Sequence, residues 1–350
     1  MFYVNESNGA ELIEQATVAY TGRRVPTEAM RCVVRSANPK PGDLVLAMVK
    51  EIGHHKRLHR VDGSKKNLFV GDLVIVAYAD RYAPAQFEAR VPADLRDCDL
   101  VAAGGIAGTV VEKHDRIRRD PTRLKPLGLI ASDPEAPPLN VGGSALEPVV
   151  GGARGNVPTI AVVGTTMDSG KTTSAAYLVH GLRRYGLNVG YAKVTGTGAA
   201  GDPELLRDAG ASPVLDFTDL GYASTYLLPT AVVESMYGEL VAHLEQAGVD
   251  AIVIEVADGL YQTETAGLLE SETFRGLTDG IIFAAGESMG AVAGAEWLRG
   301  RDLPLRAIAG CITRSPLQVR EAAACGTPIV TLKDLDDPAT AAKLLYTDHE

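Results

Sequence analysis

Tryptophan is almost missing from this chain, with a single residue in 350, and aromatic residues together make up 5%. The first half therefore lacks the dense aromatic platform on which unpaired bases stack, which argues against a single-stranded nucleic acid as ligand. Cysteine is equally sparse. Cys32, Cys98, Cys311 and Cys325 form no Cys-x-x-Cys pair, so no zinc site is expected and the thiols read as reduced groups of a cytoplasmic protein. No apolar run reaches the ~18 residues that a membrane-spanning helix needs. The opening residues, Met1-Phe2-Tyr3-Val4-Asn5-Glu6, lack the basic region and apolar core of a secretory leader. Positive charge is short as well: the formal net charge is −10. Residues 1–150 carry 20 Lys and Arg against 19 Asp and Glu, and the remainder 14 against 25. So acidic a second half argues against non-specific nucleic-acid binding through that half.

What is present is the make-up of a globular protein, with 46% hydrophobic and 22% charged residues and a mean hydropathy near zero. The length suits about two domains. Residues 132–158 are rich in proline and glycine and read as a linker. Before it, strand signals dominate. Residues 42–49 and 71–78 repeat one pattern, a Gly-Asp turn feeding a buried strand, and residues 100–111 form a third apolar run punctuated by glycines. A helix is expected over 10–19. Two basic clusters, at 54–60 and 113–119, read as solvated faces; His55 and His59 lie four apart without a helical pattern, so no metal site is expected there. After the linker, apolar runs at 159–163, 188–194, 250–256, 280–285, 305–312 and 328–332 alternate with helical stretches at 171–185, 203–209, 230–247, 290–299, 316–325 and 338–345. That alternation predicts a largely parallel sheet covered on both faces. The fold class is thus α/β: a P-loop domain with a mostly parallel, doubly wound sheet over 159–350, and a smaller mainly-β, barrel-like domain over 1–131.

The most telling stretch is Gly164-Thr165-Thr166-Met167-Asp168-Ser169-Gly170-Lys171-Thr172-Thr173, between an apolar strand pattern and a helix pattern. Strand, glycine-bearing loop and helix form the setting in which backbone N–H groups and a helix dipole receive nucleotide phosphates. Lys171 is expected to reach the β/γ-phosphates and the Thr172 hydroxyl to ligate Mg²⁺.

In a parallel sheet, ligands gather at the carboxyl ends of the strands. There the second strand ends in Lys193-Val194-Thr195-Gly196-Thr197-Gly198-Ala199-Ala200-Gly201-Asp202, a loop suited to a polar or anionic substrate beside the γ-phosphate. The third ends in Glu255, followed by Val256-Ala257-Asp258-Gly259. A carboxylate that ends a buried strand beside a phosphate loop typically holds Mg²⁺. Asp258 reads either as part of the site or as a loop cap. The fourth strand leads into Gly286-Glu287-Ser288-Met289-Gly290 and the fifth into Cys311-Ile312-Thr313-Arg314-Ser315-Pro316, a loop placed to frame the base, with Ser315 equally an N-cap.

These residues resemble a family. The loop Gly164-Thr165-x-x-Asp168-x-Gly170-Lys171-Thr172, the segment Lys193-Val194-x-Thr-Gly, the run from Glu255 to Leu260 and the two later strand ends look like those of dethiobiotin synthetase and its relatives in the SIMIBI class of P-loop proteins. The resemblance spans residues 157–345 and leaves the first 150 unexplained. It implies that Thr172, Asp202 and Glu255 share Mg²⁺, that Lys193 faces substrate and γ-phosphate, that Thr313 stands at the base-reading position, and that the site closes in a homodimer. Thr166 and Asp258 depart from the family pattern, replacing an aspartate and a glycine.

The expected function is ATP- and Mg²⁺-dependent transfer of the γ-phosphoryl group to a small polar acceptor (a carboxylate, carbamate or hydroxyl), as a kinase or as the activating step of a ligase. Lys171, Lys193 and Asp258 are the expected catalytic residues, and Lys193, Thr195, Gly196, Thr197, Gly198, Asp258 and Gly259 the substrate side. An alternative is a nucleotide-controlled binding module whose N-terminal domain grips a partner. A third is a polynucleotide kinase, against which the near-neutral first half stands.

Overall fold

The computed structural model describes residues 9–346, so the opening segment read above lies outside the described residues. The chain divides into two units. The first takes the chain through Leu146 together with Thr197–Gly201 and Phe217–Leu227; the second takes Glu147–Gly196, Asp202–Asp216 and the chain from Leu228 onward. Two short segments of the C-terminal half thus belong to the first unit.

In the first unit, α1 (Gly9–Gln15) precedes β1 (Thr17–Val18), β2 (Cys32–Val34), β3 (Leu44–Glu51), β4 (Arg57–His59), β5 (Lys65–Asn67), β6 (Leu73–Tyr78), β7 (Phe87–Arg90), β8 (Cys98–Ala102), β9 (Ile106–Lys113) and β10 (Thr122–Ala131). The main sheet runs β1-β6-β3-β10-β8-β9-β7, with β2 on β10 and a further pairing of β6 with β9. Most of its pairs are antiparallel, so the expectation holds at the level of a mostly antiparallel β unit. The repeated apolar runs follow from burial on both faces. Leu44 and Leu46 of β3 join Ile75 and Ala77 of β6 in one core cluster, while Val45, Ala47 and Val49 join Val74, Val76 and Tyr78 in another. Alternate residues point to opposite faces of a strand, and here neither face leaves room for a polar residue.

Two expectations change in this unit. The run at 100–111 is two strands, β8 and β9, that pair with each other across the Gly104-Gly105 turn. The first helix stops at Gln15 rather than continuing to residue 19, because Thr17 and Val18 pair with Val74 and Ile75 of β6.

The second unit alternates strands and helices: β11 (Thr159–Gly164), α2 (Lys171–Tyr185), β12 (Val189–Lys193), α3 (Gly201–Asp208), β13 (Val214–Asp216), α4 (Thr230–Gln246), β14 (Ala251–Glu255), α5 (Thr263–Glu270), α6 (Glu272–Leu277), β15 (Gly280–Ala284), α7 (Ser288–Arg299), β16 (Leu305–Ala309), α8 (Pro316–Ala322), α9 (Leu332–Asp336) and α10 (Pro338–Leu345). The sheet is parallel throughout, in the order β13-β12-β14-β11-β15-β16. Its strands β14, β11 and β15 are buried along their whole length, which is why they read as unbroken apolar runs. On one face, Leu178 and Leu182 of α2 pack with Leu335 and Leu344. Side-chain caps open several helices: Glu287 accepts from the Met289 and Gly290 N–H groups, and Ser315 from that of Gln318, ahead of Pro316.

The expected strand at 328–332 is not formed. Ile329 makes one isolated bridge to Ile308, and Thr331 caps α9 through a reciprocal pair of hydrogen bonds with Asp334. No helix among the described residues is long and apolar enough to cross a membrane.

Candidate nucleotide-binding site

The centre of the second unit is where β11 passes into α2. Gly170, at φ +98°, occupies a backbone conformation that side chains other than glycine's rarely adopt, and it caps α2 with no side chain. The first-turn N–H groups of a helix have no intrahelical partner, so this 15-residue helix opens as an anion receptor. The buried hydroxyls of Thr165, Ser169 and Ser174 have no hydrogen-bond partner. Buried polar atoms are seldom left so, and three together on this loop and helix fit a polyphosphate with its cation.

Lys171 is buried and donates to the carbonyl oxygens of Thr166 at 2.8 Å and Asp258 at 2.9 Å. Burial lowers its pKa, against the opposing pull of Glu255 and Asp258. Thr172 Oγ1 donates to Glu255 Oε1 at 3.1 Å. Glu255 ends β14 next to β12, in register with Lys193. Its Oε2 accepts from the Tyr191 hydroxyl at 3.0 Å, and its Oε1 lies 3.1 Å from Lys193 Nζ. Lys193 also pairs with Asp202. Burial alone would lower the Lys193 pKa, but Asp202 and Glu255 hold it above the ordinary lysine value; Lys193 in turn holds Asp202 below the ordinary carboxylate value. Asp258, at φ +65°, sits against this cluster, and burial pushes its carboxyl up to about 6 despite Lys171 and Lys193.

The structure thus brings Lys171, Thr172, Lys193, Asp202, Glu255 and Asp258 together. Gly259 packs so closely on the Thr165 carbonyl that no Cβ fits between them. Other expected substrate-side residues make hydrogen bonds within the protein. Thr195 Oγ1 accepts from the Ala257 N–H at 2.8 Å and is buried. Gly196 precedes the crossing into the first unit, where Thr197 bridges to Ser224 and the Gly198 N–H donates to Ala223 O at 3.0 Å. The loop after β16 lies along the phosphate loop, with the Cys311 N–H donating to Ser169 O at 2.9 Å. The Thr313 hydroxyl turns inward to Gly310 O at 2.9 Å. Among the described residues no three His, Cys, Asp or Glu side chains form a metal-binding group; the expected set has two carboxylates and a hydroxyl.

Tyr191 was missed by the sequence reading. Its signal was the period-2 pattern of β12, which puts Tyr191 on the same face as Lys193.

No family model and no curated protein matches this chain. Among solved structures, the signal recognition particle 54 kDa protein from Aeropyrum pernix K1 in complex with GDP matches at 20% identity and a TM-score of 0.36, over 52% of this chain and 43% of its own. The signal recognition particle receptor FtsY from Elizabethkingia anophelis in complex with GDP matches at 17% and 0.36, over 55% and 65%. The cell division protein FtsY from Thermotoga maritima matches at 16% and 0.34, over 58% and 73%. This chain spans less than two thirds of the first two. One expectation is corrected by these matches. The expected P-loop ATP-dependent kinase or ligase is not among these matches, which are signal recognition particle and FtsY proteins, two of them in complex with GDP.

Proposed function

We propose that this chain is a nucleotide-controlled binding module, in which the P-loop unit takes a nucleoside di- or triphosphate and the first unit holds a partner. The observation that carries this reading is the path of one loop. It leaves the site at Lys193, contributes Thr197–Gly201 to the first unit and returns to the site at Asp202. A rearrangement of Lys193 or Asp202 on nucleotide binding therefore acts on both ends of a segment that the first unit has built into its own hydrogen bonding. Energetically, the nucleotide shifts the first unit only by its differential affinity for the two arrangements.

In this reading the loop N–H groups and Lys171 hold the phosphates, and Thr172, Asp202 and Glu255 hold Mg²⁺. The ion, when bound, screens the phosphate charge. Thr165 and Ser169 supply hydroxyl contacts, and Tyr191 fixes the rotation of the Glu255 carboxylate. The base is found by comparing GDP and GTP with ADP and ATP under one set of conditions, since two of the matched structures hold GDP.

The test is equilibrium binding of fluorescent nucleotides to wild type and Lys171→Ala. Loss of the buried ammonium should weaken binding by roughly a hundredfold, on the order of the 1.5–3 kcal/mol of a charge-assisted hydrogen bond. Equal affinity in a folded variant would remove the phosphate-site assignment.

A further inference from the structure

Lys193 stands at the middle of the carboxylate pair. Its ammonium bridges Asp202 and Glu255, and the Glu255 oxygen that it approaches at 3.1 Å also accepts the Thr172 hydroxyl at 3.1 Å. A cation of the chain's own thus lies among the oxygens that make up the expected Mg²⁺ set. Lys171 differs: its ammonium is spent on two backbone carbonyls and touches neither carboxylate.

We propose that Lys193 is a built-in competitor for the divalent cation, so that Mg²⁺ engages Asp202 and Glu255 only as the Lys193 ammonium leaves them. The register of β12 on β14 sets Lys193 opposite Glu255, and the Tyr191 hydroxyl pins the other Glu255 oxygen at 3.0 Å, so the carboxylate is not free to turn away. Glu255 is 1% exposed. A carboxylate so buried is costly without a cation beside it, and the lysine meets that need. Asp202 is the outer partner, with 37% of its side chain exposed, and is the side from which an entering ion displaces the ammonium. Two cations a few ångströms apart in such a site repel strongly, so occupancy by one expels the other. Under the nucleotide-module reading, on which this consequence rests, the exchange unties Lys193 from Asp202 and so releases the two ends of the loop that carries Thr197–Gly201.

Mn²⁺ binding to the protein alone, followed by electron paramagnetic resonance, needs no nucleotide and so stands apart from the test of the nucleotide reading. Lys193→Met removes the charge and keeps most of the unbranched apolar stem; Mn²⁺ affinity should rise about tenfold or more over wild type. Lys193→Arg retains the charge and should stay near wild type. Adding Asp202→Asn to Lys193→Met should reverse the gain. Unchanged or weaker Mn²⁺ binding in a folded Lys193→Met, or an equal gain in Lys193→Arg, would overturn the proposal. A second measurement needs no substitution: millimolar Mn²⁺ should increase labelling of Lys193 by an amine-directed reagent severalfold in the wild type. An unchanged labelling rate would count equally against it.

Discussion

The clearest consequence of the site's electrostatics is the pH dependence that Asp258 should confer on stability. Burial pushes its carboxyl up to about 6 from an ordinary 3.8, with Lys171 and Lys193 opposing and Glu264 and Glu255 adding to the shift. Between about pH 4 and pH 6 the native chain therefore keeps a proton that the unfolded chain has released. The unfolded state binds fewer protons there, so native stability falls as pH rises through that window. By neutral pH the ionised carboxylate costs about 3 kcal/mol, at 1.36 kcal/mol for each pH unit between the two values. Asp258→Asn keeps the shape and removes the charge, and asparagine tolerates the left-handed backbone that Asp258 adopts at φ +65°. Its main-chain carbonyl, which receives Lys171 at 2.9 Å, is untouched. The variant should thus be more stable than wild type by about 2–3 kcal/mol at pH 7.5, a rise in Tm of roughly 5–10 °C. The advantage should shrink to nothing near pH 4. Urea unfolding of both proteins at pH 7.5, 6 and 4 measures this. A difference that stays constant with pH, or a variant no more stable at pH 7.5, would refute the reasoning.

Three further outcomes follow from single contacts. Tyr191→Phe removes the hydroxyl that holds Glu255 Oε2 at 3.0 Å; leaving that buried carboxylate oxygen unpaired should cost about 1–3 kcal/mol in urea unfolding, and a neutral result would show that the bond contributes nothing. Gly259→Ala drives a methyl group against the Thr165 carbonyl, so nucleotide affinity should fall about tenfold or more as the phosphate loop is displaced, an effect of roughly 1.4 kcal/mol. Unaltered affinity would mean that the loop yields freely. Asp219→Ala removes one ionic partner of Arg23, 2.7 Å away, in the first unit; losing that partly buried ion pair should cost about 1 kcal/mol and raise hydrogen exchange over Phe217–Leu227, whereas unchanged exchange there would count against the pair as an anchor.

The strand, glycine-bearing loop and helix around Lys171 were legible in the amino-acid sequence because the three are contiguous and form from local order. Gly170, Lys171 and Thr172 take their places as soon as β11 and α2 form on either side. The buried parallel strands were legible for a related reason: a strand covered on both faces has no polar alternation to hide it. Glu255 could be singled out because a carboxylate at the end of such a run needs a partner. Boundaries failed where pairing overrides local preference. Thr17 and Val18 leave the expected helix to join β6. Residues 328–332 lose their strand to the cap of α9. The three-residue strand Val214–Asp216 is too short to show a period and was not expected at all.

What only the tertiary structure decided is which strands lie side by side and where each loop is spent. Lys193 meets Glu255 because β12 pairs with β14, two strands whose paired residues lie 62 positions apart in the chain, and nothing local to either strand encodes that neighbour. Tyr191 acquires its role from the same pairing. Thr197 and Gly198 read as substrate-side residues from their distance to Lys193, yet their hydrogen bonds go to Ser224 and Ala223 in the first unit. Sequence specifies which groups are available at each strand end, since that depends on residue type and short-range pattern. Their partners are set by closure of long-range contacts, in which burial of both faces of a sheet selects one strand order among many that the same local patterns allow.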